Sequence, residues 1–248
     1  MFVHKHPYPP FINEDTTKLI VGTLPPPRFS VGELLEKDVD FCYGSYFNSL
    51  WLFIDKIHDL NLRFDNSQEA VTQRKDFLMS QKIGVCDIVE SAEREKIDAS
   101  DLGMKNIQLR NLLGYLQIYP NIDTLLFTGG NSKNGPEYFF RKHLKSHGLQ
   151  LKVVSDQVPR IHEFEILGAL EIPNTLPTVE GSNLSALSES GGLANRIIKT
   201  VSLTSGSGAA NISISRMPLY QQLKAKSRSL GTDFNTFDFR VLQYREFF

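Results

Sequence analysis

Four short segments carry side chains that could do chemistry together. The first is the loop Gly22-Thr23-Leu24-Pro25-Pro26, and the second is Tyr43-Gly44-Ser45-Tyr46-Phe47-Asn48. The third is Asp87 inside the apolar run Ile83 to Val89, and the fourth is the cluster Ser205-Gly206-Ser207-Gly208-Ala209. Asn48 offers a carbonyl acceptor and an NH2 donor on one rigid amide, enough to position a water molecule. It also stands where an amide caps a helix, because an apolar helical face follows at once. Ser205 and Ser207, spaced by glycines, offer hydroxyls and bare backbone N–H groups of the kind that grip anions. Tyr43, or Phe41 beside it, can present an aromatic face. Asp87 is either a structural carboxylate bonded to a neighbouring loop or a group that faces a ligand.

The elements that must hold these segments are legible as alternating strands and helices. Lys18 to Gly22 is a buried strand ended by glycine and Pro25, Pro26 and Pro27. Leu50, Trp51, Ile54, Ile57 and Leu60 fall at helical spacing from Asn48 onward, and Ser67 to Met79 forms a more polar helix. Ile83 to Val89 predicts a second strand and Asp123 to Thr128 a third, which ends in Gly129 and Gly130; Pro136 then opens a helix through Ser146. Strands follow at Leu151 to Val154, Glu165 to Ile172 and Ile197 to Leu203, and a helix at Pro218 to Leu230. Such alternation predicts an α/β fold, a single-domain three-layer sandwich whose central, mostly parallel sheet is flanked by helices. Ligands bind beyond the carboxyl ends of such strands, where these loops gather. Pro173 to Gly192, rich in Pro, Ser, Asn, Thr and Gly, reads as a surface excursion.

Composition narrows the function classes. The 248 residues are 41% hydrophobic, enough for a core, with a formal net charge of −1. That balance weighs against a protein that coats nucleic acid through many phosphate contacts, and leaves room for a local basic rim. Arg141, Lys142 and Lys145 form one candidate rim, and Arg216, Lys224, Lys226 and Arg228 another; solvated helix faces are the plainer reading of both. Cys42 and Cys86 match neither a metal-ligand spacing nor a disulfide framework, which predicts reduced, buried thiols. The six histidines form no metal-spaced set and read as surface residues. No metal and no cofactor is implied. Without a signal-peptide pattern or a membrane-length apolar run, a cytoplasmic, monomeric chain with no membrane association is expected. The aromatic residues near both ends, from Tyr8 and Phe11 to Phe247 and Phe248, are expected to pack those ends onto the domain.

In their order along the chain the four segments resemble the uracil-DNA glycosylase superfamily, and above all its branch acting on hypoxanthine. Gly22 to Pro26 is similar to that family's G-x-x-P-type loop, and Tyr43 to Trp51 to its aromatic-Gly segment followed by an H-P-x-N-x-F-W-like helix start. Asp87-Ile88-Val89-Glu90-Ser91-Ala92-Glu93-Arg94 resembles W-D-V-x-x-S-C-E-R, with Cys86 and Ala92 in place of Trp and Cys. Leu203 to Asn211 resembles the L-P-S-x-S-x-A-type loop that pinches the DNA backbone, without its prolines at Thr204 and Gly206. Ser45 and Tyr46 replace the His-Pro pair, and Leu50 the Phe. The resemblance covers most of residues 18–230 apart from an atypical stretch at about 155–195, and the chain is expected to form a single domain of this type over 1–248.

The resemblance implies a monofunctional DNA glycosylase with DNA as its partner, in which Asn48 is catalytic. Tyr43, Phe41, Gly22, Thr23, Thr128 and Asp87 would meet the extruded base, and Ser205, Ser207, Gly208 and Ala209 the DNA backbone. The family's water-positioning Asp or Asn falls on Leu24 and its base-reading asparagine on Thr128, which leaves hypoxanthine, uracil or a modified base open as substrate. Two other classes stay open: a module that binds a modified base without cutting it, and a nucleoside hydrolase on the same fold.

Overall fold

The computed structural model describes residues 1–96, 100–166 and 195–248. Its centre is a six-stranded sheet in the order β3-β2-β6-β9-β8-β7, formed by β2 (Lys18–Val21), β3 (Ile83–Val85), β6 (Thr124–Phe127), β7 (Lys152–Ser155), β8 (Arg160–Ile166) and β9 (Arg196–Ser202). Strands β3, β2, β6 and β9 run parallel, while β8 pairs antiparallel with both β9 and β7. The sheet is therefore mostly parallel with an antiparallel edge, as the alternating pattern predicts.

The pleat divides each buried strand between two cores. Leu19, Val21, Leu125 and Phe127 face a layer that includes α4 (Leu112–Ile118) and α5 (Pro136–Ser146). Ile20, Leu126 and Val201 face the opposite layer, with α2 (Leu50–His58), α3 (Gln68–Ser80) and α8 (Thr236–Arg245). This is why the strands read as continuous apolar runs: both faces are covered. Trp51 is 1% exposed, and its indole N–H donates to the Cys42 carbonyl at 2.9 Å, which ties α2 to the chain before it. Removing such a side chain costs about 3–5 kcal/mol.

A second, three-stranded antiparallel sheet in the order β1-β4-β5 joins β1 (Phe2–Lys5), β4 (Val89–Arg94) and β5 (Lys105–Leu109). This corrects the single strand expected at Ile83 to Val89. The large sheet keeps Ile83–Val85, Asp87 turns the chain, and Val89 begins the small sheet. The strand expected at Glu165 to Ile172 begins earlier, at Arg160, and residues 167–172 lie outside the described residues, as does the excursion expected at Pro173 to Gly192.

Cys42 and Cys86 are free and buried, as expected. The histidines depart from expectation: His4, His143 and His162 are buried. Each sits against a neighbour that takes a ring atom; Arg94, for example, donates to His4 Nδ1 at 2.9 Å. The end aromatics do pack as expected, with Tyr8, Phe11, Phe237, Tyr244, Phe247 and Phe248 on one core and Phe234 and Phe239 on a small third cluster. Among the described residues no helix is long and apolar enough to cross a membrane.

Candidate active site

The carboxyl ends of β3, β2 and β6 place Asp87, Gly22 and Thr128 side by side. Asp87 Oδ1 accepts from the Gly22 N–H at 2.7 Å and from the Tyr43 hydroxyl at 2.6 Å. Its Oδ2 accepts from His6 Nε2 at 2.9 Å. The Tyr8 N–H donates to His6 Nδ1 at 3.2 Å, so the ring proton is left on Nε2 for the carboxylate. Burial, reinforced by the Asp87 charge and hydrogen bond, drives the Tyr43 hydroxyl well above its usual pKa and keeps it a donor.

Glycine is required at position 22. A Cβ there would stand 2.4 Å from the Tyr43 hydroxyl oxygen, 2.8 Å from Asp87 Oδ1 and 3.0 Å from Thr128 Oγ1. Tyr43 itself has φ 60°, a left-handed backbone unusual for a residue with a side chain. The tight turn around it imposes this: Val39 N–H donates to the Gly44 carbonyl and Gly44 N–H to the Phe41 carbonyl, at 2.8 and 2.9 Å. A buried staple holds the next residues. Arg28 grips Asp38 through two hydrogen bonds of 2.7 and 2.8 Å and also donates to Ser45 Oγ, while Asp38 accepts the Tyr46 N–H. Phe47 projects from this segment, 66% exposed, with the Arg28 guanidinium 5.7 Å from its ring centroid.

Asn48 joins this segment to the late loop. The Ser49 N–H donates to the Gly206 carbonyl at 2.9 Å, and Asn48 forms an antiparallel bridge with Ser207. Its Oδ1 accepts the Leu50 N–H at 2.9 Å, but the N-cap of α2 is Ser49, so the helix-capping role weighed from sequence falls one residue later and Asn48 closes a turn just before the helix. That bond fixes the amide plane and leaves one Oδ1 lone pair and the NH2 group for other partners.

Helix α8 braces the late loop from behind. Gln243 accepts the Thr204 N–H, Tyr244 donates to the Thr204 carbonyl, and Arg240 donates to the carbonyls of Ser205 and Ser207. The backbone N–H groups expected to be bare are largely spent inside the loop. Ser207 N–H donates to Ser205 Oγ, Ala209 N–H to Ser207 Oγ, and Ala210 N–H to the Ser207 carbonyl. Each of these serine hydroxyls therefore keeps its proton to donate outward.

A cavity of about 930 Å³ gathers most of these residues in its wall: Asn48, Tyr43, Thr23, Leu24, Asp87, Thr128, Ser205, Ser207 and Ala209. Three of the expected site residues lie elsewhere. Phe41 is 5% exposed and packs into the core against Phe11 and Trp51, so its ring faces no ligand. Gly22 lies behind the wall as the contact that lets Tyr43 and Asp87 meet, and Gly208 is on the surface beside it.

Sequence reasoning missed Asp101, His6, Phe47 and Arg160, all in the cavity wall. Asp101 accepts the Thr23 hydroxyl at 2.8 Å, and its backbone carbonyl accepts from Asn134 at 2.9 Å. Burial pushes its carboxyl up to about 6, against the opposing pull of the Thr23 hydroxyl and the Arg94 charge. Arg160 is held by Glu137 at 2.8 Å. Burial raises the Glu137 carboxyl, but the Ser202 hydroxyl, Arg141 and Arg160 together outweigh it and hold the group below the usual range. Arg141 is thus engaged with Glu137 and His162, not a free basic rim. Nothing in the local sequence marks Asp101, His6 or Arg160, because each acquires its place through a contact with a residue far along the chain, whereas Phe47 lies inside the Tyr43 to Asn48 segment itself. Among the described residues no cluster of His, Cys, Asp or Glu could hold a metal ion.

A hypoxanthine DNA glycosylase from Methanosarcina barkeri is 27% identical to this chain over 150 residues, which are 60% of this chain and 84% of that protein. The chain resembles the uracil-DNA glycosylase superfamily. A solution NMR structure of a candidate uracil DNA glycosylase from Methanosarcina acetivorans aligns with a TM-score of 0.42 and 19% identity, over 60% of this chain and 81% of that one. No family model matches the chain. Within the superfamily resemblance, the segments that carry it (around Thr23, Tyr43 to Asn48, Asp87 and Ser205 to Ala209) are the ones that meet around the cavity.

Proposed function

We propose that the chain is a monofunctional DNA glycosylase: it takes a hypoxanthine, uracil or modified base out of DNA and hydrolyses its bond to the sugar. The observation that carries this is the bridge between Asn48 and the Ser205 to Ala209 loop at the mouth of the cavity. It joins a water-positioning amide to a loop that offers serine hydroxyls to a phosphate backbone. Chemistry on a base inside a duplex is sterically blocked, so the nucleotide must swing into a pocket at a cost of a few kcal/mol. Tyr43 supplies the stacking face, and Thr128 and Thr23 meet the base edge.

Cleavage builds positive charge on the sugar and negative charge on the departing base. The free Oδ1 lone pair of Asn48 holds the attacking water. Among the described residues the wall carries no lysine, so water and not an amine is the nucleophile. DNA is the partner under this reading, gripped at a few phosphates, in keeping with a net charge of −1.

A second reading has one observation in its favour. Leu24, where the family's water-positioning Asp or Asn falls, packs against the core, which suits a pocket that recognises a modified base without cutting it. Incubation with labelled oligonucleotides carrying each base, followed by alkaline scission, separates the two: strand breaks support the glycosylase, and intact but bound DNA supports the binding module.

A further inference from the structure

We infer that Asp101 is the general base of this site, supplying from a separate segment the carboxylate that the first loop lacks at Leu24. The inference rests on the glycosylase reading and names a further catalytic residue for it. Three observations carry it. Asp101 lies in the cavity wall, and its Oδ1 accepts the hydroxyl of Thr23, the residue directly before Leu24, so the carboxylate stands at the very loop where Leu24 replaces the family's water-positioning Asp or Asn. Its backbone is fixed, since Asn134, a buried residue with φ 63°, donates from Nδ2 to the Asp101 carbonyl, and the Met104 N–H donates to the same oxygen. Among the described residues no side chain donates to Oδ2, which leaves it for a water molecule.

The charges that reach this carboxyl are Arg94, which lowers its pKa, and Asp87, which raises it, beside the Thr23 hydroxyl. Burial dominates and sets it at about 6, which suits a group that must be ionised near neutrality and still take up a proton. In the reaction the water oxygen bonds to C1′ as the C1′–N bond breaks. The bonding pair leaves with the base, the water proton passes to Asp101 Oδ2, and that proton is later released to the departed base or to solvent.

The test is single-turnover base release from the oligonucleotide that wild type cleaves, measured from about pH 5 to about pH 8 with wild type, Asp101→Asn, Asp101→Glu and Thr23→Val. General-base catalysis of this kind contributes about 10²- to 10⁴-fold, and Asp101→Asn is expected to lose rate on that scale with duplex binding retained. The wild-type rate should rise through a limb near the Asp101 pKa, absent from Asp101→Asn. Asp101→Glu should restore part of the rate, and Thr23→Val should move the limb upward, because the hydroxyl that favours the ionised form is gone. Asp101→Asn with an unchanged rate and an unchanged limb overturns the inference and leaves the glycosylase reading standing. A wild type that releases no base from any oligonucleotide overturns that reading and this inference with it.

Discussion

The amide oxygen of Asn48 and the α-carbon of Gly206 stand so close that no methyl fits between them: a Cβ on Gly206 would lie 2.6 Å from Asn48 Oδ1 and 3.1 Å from the Leu50 nitrogen. The late loop thus sets the position of the amide, and glycine at 206 is a condition of that geometry. Gly206→Ala must displace either Asn48 or the loop. It is expected to cost about 1–3 kcal/mol of stability, as overpacking does. It is also expected to reduce base release nearly as far as Asn48→Ala does. Urea melts and single-turnover rates on the same preparations check both outcomes.

Asp87 organises the floor of the cavity by accepting three donors, from Gly22, Tyr43 and His6. Asp87→Ala leaves all three without an acceptor, and a loss of about 3–5 kcal/mol is expected. Tyr43→Phe removes one of these bonds and keeps the ring, so about 1–2 kcal/mol and little change in base binding are expected. Denaturant titration together with oligonucleotide affinity distinguishes the two variants.

The stability of the fold should depend on pH through groups of opposite sign. Burial pushes His4 and His143 down to about 4. With folded values below the unfolded one, they take up a proton first in the unfolded chain, so their contribution is complete above the ordinary histidine pKa and is lost as pH falls towards 4. Asp101, raised to about 6, acts in reverse: it costs stability as pH rises from the ordinary carboxylate range through 6, and the cost persists at neutrality. Asp101→Asn is therefore expected to stabilise the protein at neutral pH by on the order of 1–3 kcal/mol, with no gain once the carboxyl is protonated in both states. Melts at acid and neutral pH measure the difference.

Phe47 stands in the cavity wall and is 66% exposed, next to Asn48. Under the proposed function, an aromatic side chain left in water in the wall of that cavity has a use as a stacking platform. Phe47→Ala is expected to weaken DNA binding by about 1–3 kcal/mol, the worth of one base–aromatic stack. Its melting temperature should stay at the wild-type value, because the ring buries little on folding. Equilibrium binding to a single-stranded oligonucleotide reads this effect.

The parallel sheet was legible because Lys18 to Gly22 and Asp123 to Thr128 are short apolar runs ended by glycine, and both faces of these strands are buried. Strands β1 and β5 were not, since they lie half exposed and carry Lys, His, Asn and Gln. Helix α4 was missed for the opposite reason: Leu112 to Leu116 is buried all round and shows no polar face to mark a helical period. The loop residues around Asn48, Asp87 and Ser207 were legible through their order along the chain. Asp101 and His6 were not, because each enters the cavity wall by bonding to a residue more than seventy positions away. Phe41 misled, since an aromatic beside a glycine reads alike whether it faces a base or the core.

The most direct test of the account is base release by wild type and Asn48→Ala from duplex and single-stranded oligonucleotides carrying uracil, hypoxanthine, xanthine or modified cytosines, with alkaline scission to reveal abasic sites. The expected result is abasic sites from wild type on at least one of these bases, and none from Asn48→Ala while its affinity for DNA is kept. Undiminished release by Asn48→Ala, or DNA bound by wild type and left uncut across the whole panel, would contradict it.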